Sequence, residues 1–180
     1  MKRLGTHLMD LYCFELGDEF KVLAEMKHAM FYDDNDDGIV EIAQTDRNFS
    51  YWYVDGASSP YPSLLLSFKD GEFKPDINLM RKREITPYNK MVSRVENAVN
   101  EYDDNADVFW KKNNAVVLPP VLWYLTEFLY AGRIDDTRDF LDDVWKYDDE
   151  SKNAYWADFM EQLKKSEFWG IIEQVMNFED

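Results

Sequence analysis

The chain has 180 residues, 36 of them Asp or Glu against 20 Lys or Arg, for a formal net charge of -16. That charge excludes ordinary nucleic-acid binding, which needs cations to neutralise phosphate, and disfavours docking to anionic lipid. A hydrophobic content of 46% with 16% aromatics excludes a disordered acidic tail and predicts one domain, or two small ones, around a packed core. No apolar run approaches the ~20 residues of a membrane helix. The start, MKRLGTHLMD, lacks the apolar stretch of a signal peptide. Read literally the chain is cytoplasmic; as a mature or trimmed form it would be extracytoplasmic, in the periplasm. Cys13 stands alone, so no intrachain disulfide is expected.

The first half reads as antiparallel sheet. Residues 8–16, LMDLYCFEL, alternate like a strand. Glu19 to Tyr32 fits either a helix face or a strand, and at least its second part is expected to enter a hairpin whose outgoing strand is Ile39 to Ala43. NFSYWYV, Asn48 to Val54, is rich in strand-favouring aromatics and predicts another strand. LLLSF (Leu64 to Phe68), the turn at Asp70-Gly71 and a short strand after Glu72 predict a second hairpin, ended by Pro75-Asp76. The basic run Arg81 to Glu84 reads as a solvated linker or a helix-capping neighbour of acidic loops.

Between the first hairpin's strands lies FYDDNDDGIVEIAQ, Phe31 to Gln44. Asp33, Asn35 and Asp37 alternate, Gly38 follows, and Glu41 closes the run. Calcium takes six to eight oxygens from a sharply bent loop: here three side chains, the Ile39 carbonyl and the Glu41 carboxylate. An EF-hand would need a carboxylate at its twelfth position, which is Gln44, and a helix after it. The shorter spacing, closing at Glu41 between two strands, resembles the calcium-binding β-hairpin loop of FG-GAP and integrin-type repeats. That resemblance covers about a dozen residues, occurs once, and has Glu where Asp is usual. It implies bound Ca²⁺. Without the metal, the same residue types make a plain turn.

From Thr86 the apolar period becomes helical, so the fold class is α+β: residues 1–80 sheet, residues 86–180 helix. Thr86-Pro87 starts a helix bearing Met91, Val95 and Val99. Pro119-Pro120 opens a second, nearly apolar helix that Gly132 closes. Asp135 to Trp145 is amphipathic, with Phe140, Leu141, Val144 and Trp145 opposite Asp135, Asp136, Asp139, Asp142 and Asp143. Tyr155, Trp156, Phe159 and Leu163 mark another helix, and Ser166 is expected to cap the last. Trp123, Trp145, Trp156 and Trp169 are expected to be mostly buried, each on the apolar side of its helix.

Catalytic signatures are missing from the sequence. His7 and His28 lie far apart, and there is no nucleophile elbow, phosphate-binding glycine loop or dinucleotide fingerprint. With 36 acids, some carboxylate pair is always available, and none is singled out. The expected function is a small acidic non-enzymatic binding protein, of the inhibitor or immunity type that blocks a basic bacterial toxin, with a Ca²⁺-stabilised hairpin. Asp135, Asp136, Asp139, Asp142 and Asp143, with Asp148, Asp149 and Glu150, form its expected surface for a basic protein. The alternatives are an extracytoplasmic structural or adhesion module and, last, an unrecognised hydrolase.

Overall fold

A computed structural model describes residues 9–16, 19–33, 38–102, 118–145 and 148–178. The chain is α+β. Five strands, β1 (Met9–Leu16), β2 (Phe20–Tyr32), β3 (Glu41–Thr45), β4 (Ser63–Lys69) and β5 (Glu72–Pro75), form an antiparallel meander in chain order. The helices are α1 (Ile77–Lys82), α2 (Tyr88–Tyr102), α3 (Leu118–Tyr130), α4 (Ile134–Val144), α5 (Asp149–Leu163) and α6 (Trp169–Asn177).

Alternation along the strands separates two cores. Ala43 and Leu65, paired across β3 and β4, face the helices and join one large cluster that includes Met91, Val95, Leu125, Phe128, Phe140 and Phe159. Ile42 and Leu66, the next pair, face the other way, into a small cluster with Cys13 and Ala29. The sheet closes over that second face itself. Two register shifts put extra residues in β2, Leu23 opposite the Cys13–Phe14 step and Lys27-His28 opposite Asp10, with His28 at φ +55°. Such bulges bend a strand. The bent β1–β2 ribbon brings Leu11, Leu23, Ala24 and Met26 against the small cluster. All of β2 is therefore strand; its helical periodicity is overruled by pairing with β1 along its length.

The segment 48–54 is not a strand. It forms successive turns, and Tyr51 and Tyr53 hold positive φ (60° and 58°), a conformation that costs a side chain about 1 kcal/mol or more. Its aromatic residues serve burial instead of pairing. Phe49 is fully buried, stacked on Phe159 at 5.1 Å, and Trp52 packs against Phe49, Tyr155 and Phe159. Tyr51 N–H donates to Ser59 Oγ, and the Tyr53 hydroxyl donates to Asp158, holding the turns in place.

Asp46 anchors this segment to the helices. Its Oδ2 accepts from the Tyr130 hydroxyl of α3 and from Ser166 Oγ, each at 2.5 Å, and its Oδ1 accepts from Asn48 N–H at 2.7 Å. Asn48 Nδ2 donates to the Gln162 carbonyl, while Gln162 Nε2 donates back to the Asn48 carbonyl at 2.6 Å. Ser166 is thus part of the joint between sheet and helices. The N-cap of α6 is Phe168, without a side-chain cap, although Ser166 Oγ accepts from Phe168 N–H just before it.

The basic run is structural too. Asp76 caps α1 by accepting from Leu79 N–H, and Met80 is buried in the large core. Arg81 Nη1 donates to the Val175 carbonyl near the end of α6, and Arg83 Nη1 donates to the Ser63 carbonyl. Gly132 ends α3 at φ +71°, where an added Cβ would stand 2.5 Å from the Val175 carbonyl, so both conformation and space require glycine. Of the four helical tryptophans, Trp145 is buried and Trp156 and Trp169 are half-buried. Trp123 departs from expectation at 46% exposed: it lies on the outward stripe of α3, its Nε1 donating to the Ser58 carbonyl.

Replacing Asp46 with Ala leaves two buried hydroxyls and a backbone N–H without their acceptor. We expect a loss of about 3 kcal/mol and a fall in Tm of roughly 6–12 °C, measured by thermal and denaturant unfolding. An alkaline limit is also expected. Burial raises the hydroxyl pKa of Tyr130, with the charge of Asp46 adding to it, and burial raises those of Tyr155 and Tyr88. Burial and the bond to Asp158 push Tyr53 up to about 12. Groups with raised folded-state values stabilise fully below the unfolded value near ~10, and that contribution is lost as pH rises above it. Denaturant melts should accordingly show no tyrosine-linked loss up to about pH 9 and a steep loss above about pH 10.

Candidate functional site

The last ladder pair of β2 and β3, Tyr32 with Glu41, flanks the acidic run in the chain. Gly38, at φ +83°, donates its N–H to Asp33 Oδ2 at 3.1 Å, which folds the two ends of the run toward each other. Ile39 is exposed, and Glu41 belongs to β3 itself, 3% exposed at the base of the loop. Asn35 and Asp37 lie outside the described residues. Among the described residues, no group of three or more His, Cys, Asp or Glu stands close enough to hold a metal.

The acidic surface of α4 and α5 is better defined. Thr137, Phe140, Leu141 and Val144 are buried, which turns Asp135, Asp139, Asp142 and Asp143 outward and leaves Asp136 half-exposed. Much of the charge has a local structural reason. Asp135 and Asp136 occupy the first turn of α4, and Asp149 and Glu150 the first turn of α5, where the positive end of the helix dipole favours them. Asp148 is the N-cap of α5, accepting from Ser151 N–H at 2.7 Å; that bond holds its carboxyl below the usual carboxylate range. Arg133 Nε pairs with Asp136.

Asp139, Asp142 and Asp143 are different. Asp142 and Asp143 lie in the last turn of α4, which holds no basic residue and where the dipole disfavours negative charge, and Asp139 stands mid-helix, one turn before them. With Asp136 and Tyr88 they line a shallow groove of about 450 Å³. The Tyr88 hydroxyl, from the start of α2, donates to Asp143 Oδ2 at 2.7 Å. Its pKa is raised by burial first, then by that bond and by the charges of Asp143, Asp139 and Asp136. Lys152 of α5 bridges Asp142 at 2.6 Å and Asp149 at 2.9 Å, and those bonds raise its pKa. On the far side of Asp142, Arg138 lies over the Trp156 ring at 5.2 Å, beside a second shallow groove that includes Leu141 and Asn153.

Of the expected carboxylates, the structure gathers Asp136, Asp139, Asp142 and Asp143 along one groove with Tyr88 and ties Asp142 to Asp149 through Lys152, whereas Asp135, Asp148 and Glu150 do not line that groove. Tyr88 reads from the sequence as one more apolar helix position, and its hydroxyl end gives no separate signal. Lys152 is visible only as a neighbour of Asp149; its contact with Asp142 depends on how α4 and α5 pack. The carboxylates can hold cationic side chains at fixed spacing, since they stand on a helix whose other side is locked in the core. Compared with protein-family models, curated proteins and solved structures, the chain matches none.

Proposed function

We propose that this chain is a small acidic binding protein, not an enzyme, whose α4 groove engages a basic protein. An inhibitor or immunity-type protein acting on a basic bacterial toxin has this chemistry. The observation that carries the reading is the position of Asp142 and Asp143 in the last turn of α4, where their charge is unfavourable for the helix, with Asp139 one turn before them. Like charges three or four residues apart cost a further few tenths of a kcal/mol per pair. Among the described residues, Lys152 offsets this at Asp142 and the Tyr88 hydroxyl at Asp143. A net charge of -16 steers a basic partner toward such a surface.

The test is the triple variant Asp139→Asn, Asp142→Asn, Asp143→Asn. It should fold with unchanged or slightly higher Tm and associate with the basic partner several-fold more slowly at low salt. The difference should shrink above ~0.5 M salt, where the Debye length is only a few ångströms. Stopped-flow association with a partner captured from the native cell reads this directly. An unchanged rate at low salt would reduce the groove to a solvated face.

A second reading, a Ca²⁺-stabilised hairpin, is favoured by the Asp33–Gly38 hydrogen bond, which draws the first and sixth positions of the acidic run together. Calcium would be held by Asp33, Asn35, Asp37, the Ile39 carbonyl and Glu41, a set that also suits an extracytoplasmic structural or adhesion module. Calorimetric titration of chelator-stripped protein should show one Ca²⁺ bound, with binding abolished by Asp37→Ala. At ~100 times the dissociation constant, calcium should add about 2.7 kcal/mol to stability, and EDTA should remove it. No heat at millimolar calcium would leave the loop a plain turn.

A further inference from the structure

The two edges of the sheet are built in opposite ways. β5, at one edge, has four residues, EFKP, and carries Lys74 and Pro75. Short length, lysine and proline are the ordinary means by which a sheet edge is kept from pairing with another chain. β1, at the other edge, has eight residues, MDLYCFEL, with no lysine, proline or glycine. Both register shifts place their extra residues in β2, so β1 itself runs regularly. Among the described residues, no strand pairs with its outer side.

Asp10 and Glu15 are the charged residues of that edge, and the side chains between and around them are largely apolar. Cys13 points into the small core, whereas Tyr12, Phe14 and Leu16 point outward and are 50%, 45% and 86% exposed. Phe20 and Val22, opposite them on β2, are exposed as well, and the Phe14 and Phe20 rings lie 4.6 Å apart. Together these side chains present roughly 500 Å² of largely apolar surface, toward the upper end of what a monomer shows in one patch.

We infer that β1 is a homodimer edge, which pairs antiparallel with β1 of a second copy and joins two five-stranded sheets into one. A second copy is the occupant that this strand fits, because a twofold axis makes the same edge both donor and acceptor. Opposed residues in an antiparallel ladder share a face, so keeping both apolar sides together requires a register in which residue numbers across the ladder sum to an even value. The register centred on Cys13 satisfies this over residues 10–16. It sets Tyr12 beside Phe14 of the partner on both sides of the axis. It also sets Glu15 opposite Leu11, so that no acid of β1 faces another acid.

Charge sets the salt dependence. Each copy carries -16, so repulsion opposes the pair and salt relieves it. A basic partner on the α4 groove would respond to salt in the opposite direction, and the two surfaces share no residue. Failure of one reading therefore leaves the other standing.

Light scattering coupled to size exclusion, with sedimentation velocity, should give twice the 21.4 kDa chain mass, with the dimer fraction rising from low to ~0.5 M salt. Phe14→Lys and Tyr12→Lys, both on the outward face, should each weaken dimerisation at least tenfold while circular dichroism and Tm stay near wild type. Phe68→Lys, an equally exposed position on β4 near the other edge, should leave the dimer intact. A monomer at every salt concentration up to about 100 µM protein would overturn the inference. So would a Phe14→Lys dimer as stable as wild type, or equal weakening by Phe68→Lys, which would indicate unspecific apolar contact.

Discussion

The carboxylate of Asp46 is the contact on which the joining of sheet and helices depends. It sits at the exit of β3, buried, and collects a tyrosine hydroxyl from the end of α3, a serine hydroxyl from the α5–α6 turn and the backbone of its own loop. A buried carboxylate is tolerable only when donors surround it, and here three converge on it. Because those donors come from segments far apart in the chain, the group is satisfied only when both halves are folded and docked. The reciprocal amide pair of Asn48 and Gln162 repeats the same logic one turn away.

That anchoring explains how residues 48–54 can hold two tyrosines at positive φ. The strain at Tyr51 and Tyr53 is borne by what surrounds them: Phe49 and Trp52 fill the space between sheet and helices, against Phe159 and Tyr155 of α5. Burial of Phe49 and partial burial of Trp52, together worth several kcal/mol, outweigh the strain of two unfavourable backbone angles. High aromatic content in this stretch therefore served the joint between layers, not a ladder.

The acidic surplus divides along similarly physical lines. Carboxylates at the starts of α4 and α5 cap or complement helix dipoles, and need no partner molecule to account for them. Those at the end of α4 work against the helix that carries them. The distinction matters because the net charge alone treats all of them alike. A comparable contrast separates the two sheet edges, one short and interrupted by Lys and Pro, the other long and apolar.

The sequence by itself determined the α+β order, sheet first and helices after, although the first helix begins at Ile77 and not at Thr86; it also determined the β4–β5 hairpin through Asp70-Gly71, both at positive φ, and the burial of Phe140, Leu141 and Val144 opposite the aspartates. These are local matters: apolar period and turn chemistry act over a few residues and leave a readable trace. Only tertiary structure decided the rest. Phe20 to Val22 could have continued a helical face until β1 supplied a partner ladder. The arginines at 81 and 83 became ties to distant carbonyls because α6 and the start of β4 came within reach. Trp123 was left outward because α3 has core on only part of its circumference, which no apolar pattern distinguishes when nearly every position is apolar. Tyr88 and Lys152 joined the α4 groove for the same kind of reason, since a contact across fifty-five residues, as between Tyr88 and Asp143, has no counterpart in local spacing.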